Sequence, residues 1–331
     1  MGTITVPRTE DLAEKIRRLC AGADPLLLGI PKMSDGFLDL RGTRLASART
    51  LGRVPISVGG LDLGSAEVRS GKFVVVSSCG LNTTDLSKSS IDESLWENFH
   101  LSDIRFIRAK ARNVVFGSGE MERVSFAGAD LRGSHWGTRG VAGPIVTDAD
   151  FSGADLRGST FGHPLFRRCR FVDTNLKDVD FRGSRFEESK FEGVLDGVWF
   201  HGSYGDNRSP QTAVLKNTMN GVDFTRAELR WVDFTDGIDL RTCKFPERGY
   251  MVVANPRSAL QSVGEKIRKD WKGSERETAL RYISLLLRDH FREEQPVWVV
   301  RPDDLTGPPL GERVGAGIVS LLVEISQSNP K

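Results

Sequence analysis

The sequence predicts a mainly β protein whose chain turns a corner every five residues and winds into a solid stack of coils. Three observations predict it. An apolar residue recurs at every fifth position from Val76 to Phe191, 24 in succession. Two residues before it the side chain is usually small or apolar, as at Cys79, Ser89, Ala109, Ala129, Ala154 and Cys169. Two residues after it glycine is frequent, as at Gly128, Gly133, Gly153, Gly158, Gly183 and Gly193. Neither the helical period of 3.6 nor the strand period of 2 makes a strict five-residue column. A chain that bends after each unit does. It points one large and one small side chain inward, and glycine eases the turn.

Composition sets the bounds. A chain of 331 residues with 39% hydrophobic and 27% charged side chains is ordinary for a folded protein with a sizeable core. Forty-six basic against forty-four acidic residues leave a net charge of +2. That balance excludes a strongly basic nucleic-acid binder and a uniformly acidic surface alike. Cys20, Cys79, Cys169 and Cys243 form no Cys-x-x-Cys pair, which speaks against a disulfide framework or structural zinc and for a reducing compartment. No run of 18 apolar residues could span a bilayer, and the amino terminus lacks a basic-then-apolar leader pattern. The expectation is a cytoplasmic protein without membrane contact.

The pieces Leu38-Asp39-Leu40-Arg41-Gly42, Ala129-Asp130-Leu131-Arg132-Gly133 and Ala154-Asp155-Leu156-Arg157-Gly158 are near-identical. With the apolar column, they make the chain similar to the pentapeptide-repeat proteins. The resemblance is strongest over 76–193 and weaker over 36–75. It resumes at Phe224, Leu229 and Phe234, then at Leu240 and Phe245 after a one-residue slip. It implies a right-handed quadrilateral β-helix with four units per coil. The core is then expected at Phe106, Phe126, Leu131, Phe151, Leu156 and Phe161, continuing through Phe166, Phe171, Leu176, Phe181, Phe186 and Phe191.

Four units per coil sort the column into faces. One is expected to carry Val76, Trp96, Phe116, Trp136 and Leu156. Another is expected to flank Phe106, Phe126, Val146 and Phe166 with a cluster of cations: Lys88, Arg105, Arg108, Arg167, Arg168 and Arg185.

Outside the column the chain divides into three regions. Residues 1–35 form an amino-terminal cap, with Thr9 to Leu19 reading as a short amphipathic helix. The β-helix occupies 36–250, irregular at 46–62 and interrupted by a glycine-rich polar loop at 194–222. Residues 251–331 read as a helical carboxy-terminal region. Leu260, Val263, Ile267 and Trp271 suit one amphipathic helix, and Leu280, Ile283, Leu286, Leu287 and Phe291 a second. This region either seals the last coil or pairs with its copy in a homodimer.

Catalytic motifs are thin. The five histidines are scattered without metal-ligand spacing, and no cofactor fingerprint is present. The aspartates beside the column belong to the repeat. No residue is assigned a catalytic role, and no metal or cofactor is expected. The one dense polar group is the loop set Trp199, His201, Tyr204, Asp206 and Arg208.

These readings favour a non-enzymatic interaction protein that presents a rigid surface to a protein partner. The resemblance adds one specific version, a modulator of a bacterial type II topoisomerase (DNA gyrase) or a self-resistance factor that mimics duplex DNA. Residues 76–191 carry 16 acidic and 16 basic side chains, however, and duplex mimicry needs a dense negative field. Two alternatives are a small-molecule or enzymatic site at the 199–208 loop, and nucleic-acid binding through Arg105, Arg108, Arg167, Arg168 and Arg185. The mixed charge disfavours the second.

Overall fold

The computed structural model describes residues 18–19, 24–42, 74–77, 80–137, 143–204, 215–291 and 294–328. The chain divides into two compact units, Met1–Asn175 and Leu176–Lys331. Of the expected amino-terminal helix only Arg18 and Leu19 are described, both helical, and the irregular stretch 46–62 lies outside the described residues.

In the first unit, short parallel strands stack coil upon coil. Val76 pairs with Trp96, Leu95–Trp96 with Val115–Phe116, and Leu81 with Leu101, always twenty residues apart. Twenty residues are four units of five, so each coil is square. The first Leu-Asp-Leu-Arg-Gly piece joins this stack directly, because Leu38–Asp39 pairs with Thr84–Asp85 and the Leu40 amide donates to the Asp85 carbonyl at 2.9 Å.

At most units the corner residue two places after the inward side chain is left-handed. Thr83, Lys88, Glu93, Asn98, Asp103, Arg108 and Asn113 have φ between 48° and 59°, and Gly128, Gly133, Gly153 and Gly158 between 66° and 69°. A left-handed conformation costs an ordinary residue about 1–2 kcal/mol, which is why glycine and asparagine recur there. At Gly133 a side chain would also meet the Asn113 carboxamide oxygen at 2.5 Å.

Inside, the large residues fill the coil. Phe106, Phe126, Phe151 and Phe171 form one stack, with centroids 5.2, 5.2 and 4.8 Å apart and ring planes within 11° of parallel. Rings on neighbouring faces meet edge-on, as Phe126 meets Trp136 at 5.8 Å and 80°. Both are favoured aromatic geometries. The two buried indoles find acceptors: Trp96 donates to Ser94 and Trp136 to Ser134, at 2.9 and 2.8 Å. All twelve side chains named as the core from the sequence are buried.

One expectation about the faces is corrected. Met121 pairs with Val146 and Trp136 with Phe161, twenty-five residues apart. The chain between Trp136 and Val146 is therefore five residues longer than a square coil needs, and residues 138–142 are outside the described residues. Gly137 and Gly143 flank the extra residues and lie close together. A Cβ on Gly137 would lie 1.9 Å from the Gly162 carbonyl oxygen and 3.0 Å from the Gly143 Cα, so backbone passes backbone with no room for side chains. Every face beyond this point shifts by one unit. Phe161, not Leu156, continues the face of Trp136, and Phe166 continues that of Leu101 and Met121 rather than that of Phe106.

In the second unit the coil continues further than expected. Leu195, Val198 and Phe200 are buried, and Trp199–His201 pairs with Asp233–Thr235. The interruption placed at 194–222 is narrower. Ser203–Tyr204 and Leu215–Lys216 form an antiparallel stem, residues 205–214 lie outside the described residues, and buried Met219 and Val222 re-enter the coil. Ring stacks run here too: Phe181–Phe200–Phe234 at 5.3 Å each, and Phe191–Phe224–Phe245 at 5.0 and 5.4 Å. Phe186 sits edge-on between Phe181 and Phe191, and Leu176 is buried.

After Phe245 the chain leaves the coil. Met251–Ala254 pairs antiparallel with Val297–Val300, and helices span Pro256–Asp270, Gly273–Leu285, Pro302–Thr306 and Glu312–Ser328. Leu260, Val263, Ile267, Ile283 and Phe291 are buried against Ile318 and Leu322 of the last helix. The apolar stripe offered for a homodimer is thus packed within this chain. Gly317 lets that helix cross Trp271, whose ring would lie 2.6 Å from an added Cβ.

Truncating one ring of a stack tests this packing. Phe126→Ala removes contacts to Phe106, Phe116, Trp136 and Phe151. It is expected to cost about 3–5 kcal/mol in denaturant unfolding. A loss below about 1 kcal/mol would mean that the rings do not carry the core.

Candidate functional site

The repeat places its charges by a local rule. An aspartate one residue before the inward side chain accepts the backbone N–H two residues ahead, as Asp155 accepts from Arg157 at 3.2 Å and Asp239 from Arg241 at 3.0 Å. This Asx turn steadies the corner. Where arginine follows, its guanidinium closes on the same carboxylate: Arg157 on Asp155 at 2.7 Å, Arg132 on Asp130 at 2.8 Å and Arg241 on Asp239 at 2.6 Å. Hydrogen bonds from Arg132 and Arg112 hold the Asp130 carboxyl far below the usual carboxylate range. These aspartates are structural, and their charge is cancelled within the unit that carries it.

Corners also pair across coils. Arg123 grips Asp103 with two bonds of 2.7 and 2.8 Å, and Arg168 grips Asp148 with two of 2.8 Å. Arg123 adds a longer-range attraction to Asp148, which joins the four groups into an alternating ladder.

The structure disperses the expected cation face. Arg105 and Arg108 flank Phe106, whereas Arg167 and Arg168 flank Phe166, which the excursion after Trp136 moves to the face of Met121 and Val146. Arg105 is engaged: it pairs with Asp35 at 2.6 Å and lies 3.5 Å over the Phe37 ring. Arg108 is exposed on a left-handed corner, Arg167 is half-buried, and Arg185, also half-buried, belongs to the second unit. No single arginine face unites the five.

The loop set has one member at the centre of a cluster. His201 ends the strand Trp199–His201, next to buried Phe200. Its Nε2 lies 2.9 Å from an Asp180 carboxylate oxygen and its Nδ1 2.7 Å from one of Asp236. The Thr235 hydroxyl is 3.1 Å from Nδ1. Asp180, His201 and Asp236 come from three successive coils, so the imidazole bolts them together. An ionised carboxylate only accepts hydrogen bonds, and a ring bonded to two of them must donate from both nitrogens. The geometry therefore requires imidazolium. Burial opposes that charge, but the two carboxylates outweigh it and raise the pKa to about 9. For Asp180, burial is outweighed by His201, and for Asp236 the bond from His201 dominates; both carboxyls are held below the usual range.

Nearby, His290 lies 4.0 Å from Asp233, and burial depresses its pKa. Trp199 is half-buried beside His201, and the Tyr204 backbone belongs to the antiparallel stem. Asp206 and Arg208 lie outside the described residues.

An imidazolium with both N–H groups engaged has no lone pair for a proton or a metal. Among the described residues no group of three His, Cys, Asp or Glu side chains is arranged to hold a metal ion. Asp180 and Asp236 were not singled out from the sequence. Their one signal was position, since Asp180 immediately precedes Phe181 and Asp236 follows Phe234 by two.

The sign of the pH dependence follows. With its pKa raised from 6.5 to about 9, His201 stabilises the fold fully below pH ~6.5 and loses that contribution as pH rises through about 9. The lowered carboxyls contribute above pH ~3.8 and lose it in acid. His201→Gln is expected to cost roughly 1–3 kcal/mol at pH 6 and much less at pH 10, read by thermal unfolding at both values. An equal loss at the two pH values would refute a charged clamp.

Comparison with known proteins places these features. A search of curated proteins returns no match to this chain. Among solved structures, full-length QnrB1, a plasmid-mediated fluoroquinolone resistance protein, is 15% identical; the match covers 53% of this chain and 94% of that one, with a TM-score of 0.17. HetL, a pentapeptide-repeat protein involved in heterocyst differentiation regulation from the cyanobacterium Nostoc, is 12% identical over 72% of this chain and 92% of its own, with a TM-score of 0.25. Rfr23, a pentapeptide-repeat protein from the cyanobacterium Cyanothece, is 17% identical over 38% and 58%, with a TM-score of 0.15. At such scores neither a function nor a partner is carried over. The pentapeptide-repeat family model matches residues 155–193 in eight copies. Those copies lie where the paired strands, square coils and left-handed corners are observed, so residues 155–193 are pentapeptide repeats and the coil they belong to is a quadrilateral β-helix.

Proposed function

We propose that this chain is a non-enzymatic interaction protein whose coils hold a rigid exterior against a protein partner. The observation that carries this reading is where the chemistry goes. Ring stacks occupy the coil interior, and the consensus aspartates close on their own turns. The half-buried His201 cluster locks both ring nitrogens. What remains to act is surface, repeated at strand spacing.

The pairing of charge also bears on the kind of partner. An exterior whose carboxylates meet guanidiniums at 2.6–2.8 Å projects little field beyond a few ångströms. Recognition then rests on shape and local hydrogen bonds. A type II topoisomerase remains the specific partner that the repeat resemblance implies, and it would be met by contact rather than by imitation of duplex charge. A cytoplasmic setting goes with the reading, supported by the free thiol of Cys243. Among the described residues no helix is long and apolar enough to cross a membrane.

Two measurements test the proposal. Immobilised protein is expected to capture a partner from host extract saturably, with excess soluble native protein, but not heat-unfolded protein, displacing it. Absence of any saturable partner would sink the reading. For the topoisomerase version, purified protein is expected to alter gyrase supercoiling or quinolone poisoning in the same way at low and moderate salt. Unchanged activity at high molar excess removes that version.

A further inference from the structure

The last coil is incomplete on one side, and this leaves a place shaped for a strand. Strand Asp223–Arg230 pairs along its inner edge with Lys190–Asp196, placing Ala227 beside Gly193 and Leu229 beside Leu195. On its outer edge the next rung begins normally. Asp223 bridges Lys244, the Phe224 amide donates to the Lys244 carbonyl at 2.7 Å, and Phe245 stacks on Phe224. Then Pro246, which has no N–H to give, turns the chain away toward the strand Met251–Ala254. The rung that would cover Ala227 to Leu229 is never laid.

A cleft of about 380 Å³ stands in its place, lined by Ala227, Glu228, Arg248, Tyr250, Arg301 and Asp303 among others. Its floor is a sheet edge. The Leu229 N–H points outward and is met by the Tyr250 hydroxyl oxygen at 2.7 Å. Backbone groups of alternate residues face the same neighbour, so Ala227 directs its N–H and carbonyl outward too. Among the described residues, neither has an outer partner. An unpaired edge of this kind is the template for strand addition.

The side chains define the occupant. Glu228 is held by Arg230 at 2.8 Å and approached by Arg301 at 3.7 Å, while Asp303 lies 3.3 Å from Arg301. Arg248 is exposed and makes no ion pair among the described residues. Because Tyr250 accepts the Leu229 N–H, its own hydroxyl proton is available to a further acceptor. The unbalanced elements of the cleft are thus one guanidinium, one hydroxyl donor and one strand edge.

We infer that this cleft binds an extended acidic segment of a protein partner, which adds as a parallel strand on Ala227–Leu229 and places a carboxylate between Arg248 and Tyr250. The inference rests on the interaction reading above and names the surface and chemistry it would use.

The probe is a capped, fluorescently labelled peptide of alternating valine and glutamate, with a valine–lysine counterpart and a version N-methylated on alternate amides. The glutamate peptide is expected to bind the full chain and to shift the amide resonances of Ala227 and Leu229. Arg248→Glu, an exposed change that breaks no ion pair among the described residues, is expected to weaken it at least tenfold, and Tyr250→Phe to weaken it less. The lysine and N-methylated peptides are expected not to bind. No binding of the glutamate peptide, equal binding to Arg248→Glu, or equal binding of the lysine or methylated peptide overturns the inference. If a captured partner binds Arg248→Glu as well as the native chain, the cleft assignment falls and the interaction reading stands. If no partner is captured at all, the interaction reading itself fails.

Discussion

The constraint on which the structure depends is the left-handed corner found two residues after most inward side chains. It fixes where the chain turns, and therefore that one large residue per five points inward. Once coils are square, parallel strands bring equivalent residues to strand spacing, about 4.8 Å. Stacked rings follow from that. Phe106, Phe126, Phe151 and Phe171 lie 4.8–5.2 Å apart because the backbone sets the repeat, and flat rings fill it. A corner filled by Arg123 or Arg168 instead of glycine pays in backbone strain but reaches the carboxylate of the coil below. The charged corners are therefore also the inter-coil ties.

The same geometry governs electrostatics. Outward positions recur at the same spacing as inward ones, so unpaired like charges placed in register would stack at strand spacing and repel. The chain avoids this in two ways. Asp-x-Arg closes on itself within a corner, and the Asp103–Arg123 and Asp148–Arg168 pairs alternate sign along one edge. His201 is the variant in which one cation serves two carboxylates on different coils. Its charge is a consequence of that position, since a neutral ring could donate to only one of them. Placed where the chain leaves for the Ser203–Tyr204 stem, it ties the coils on either side of the departure.

Much of this was legible in the sequence, and the failures have a physical pattern. The column, the corner glycines and the buried core are local periodic features and survive in a one-dimensional reading. The helices after Phe245 are legible for the same reason, through Leu260, Val263 and Ile267. What a period of five cannot reveal is an excursion of five residues. Val141 keeps the count in the sequence, yet the partners on either side are twenty-five residues apart, so every later face assignment moves by one, taking Arg167 and Arg168 away from Arg105 and Arg108. The excursion did have a trace in the crowding of Gly137, Gly140, Gly143 and Pro144. The Asp180–His201–Asp236 cluster left none, because its members are separated by 21 and 35 residues and meet only through the irregular coil lengths of the second unit.

An open solenoid end exposes backbone groups that cannot simply be left buried, and this chain treats its last coil unevenly. Where Trp231 stands on a left-handed corner, its N–H is taken by the Asp304 carboxylate at 3.1 Å, from the short helix Pro302–Thr306. Two residues earlier the Tyr250 hydroxyl takes the Leu229 N–H. Both caps are side chains reaching in from the carboxy-terminal region, so that region ends the stack by point contacts as well as by packing. Between Phe245, which still stacks, and these two caps the edge at Ala227 is neither paired nor plugged by any described residue. A strand edge without a rung is ordinarily blunted by charge or covered. Here it lies in a cleft of about 380 Å³, a space on the scale of one short extended segment.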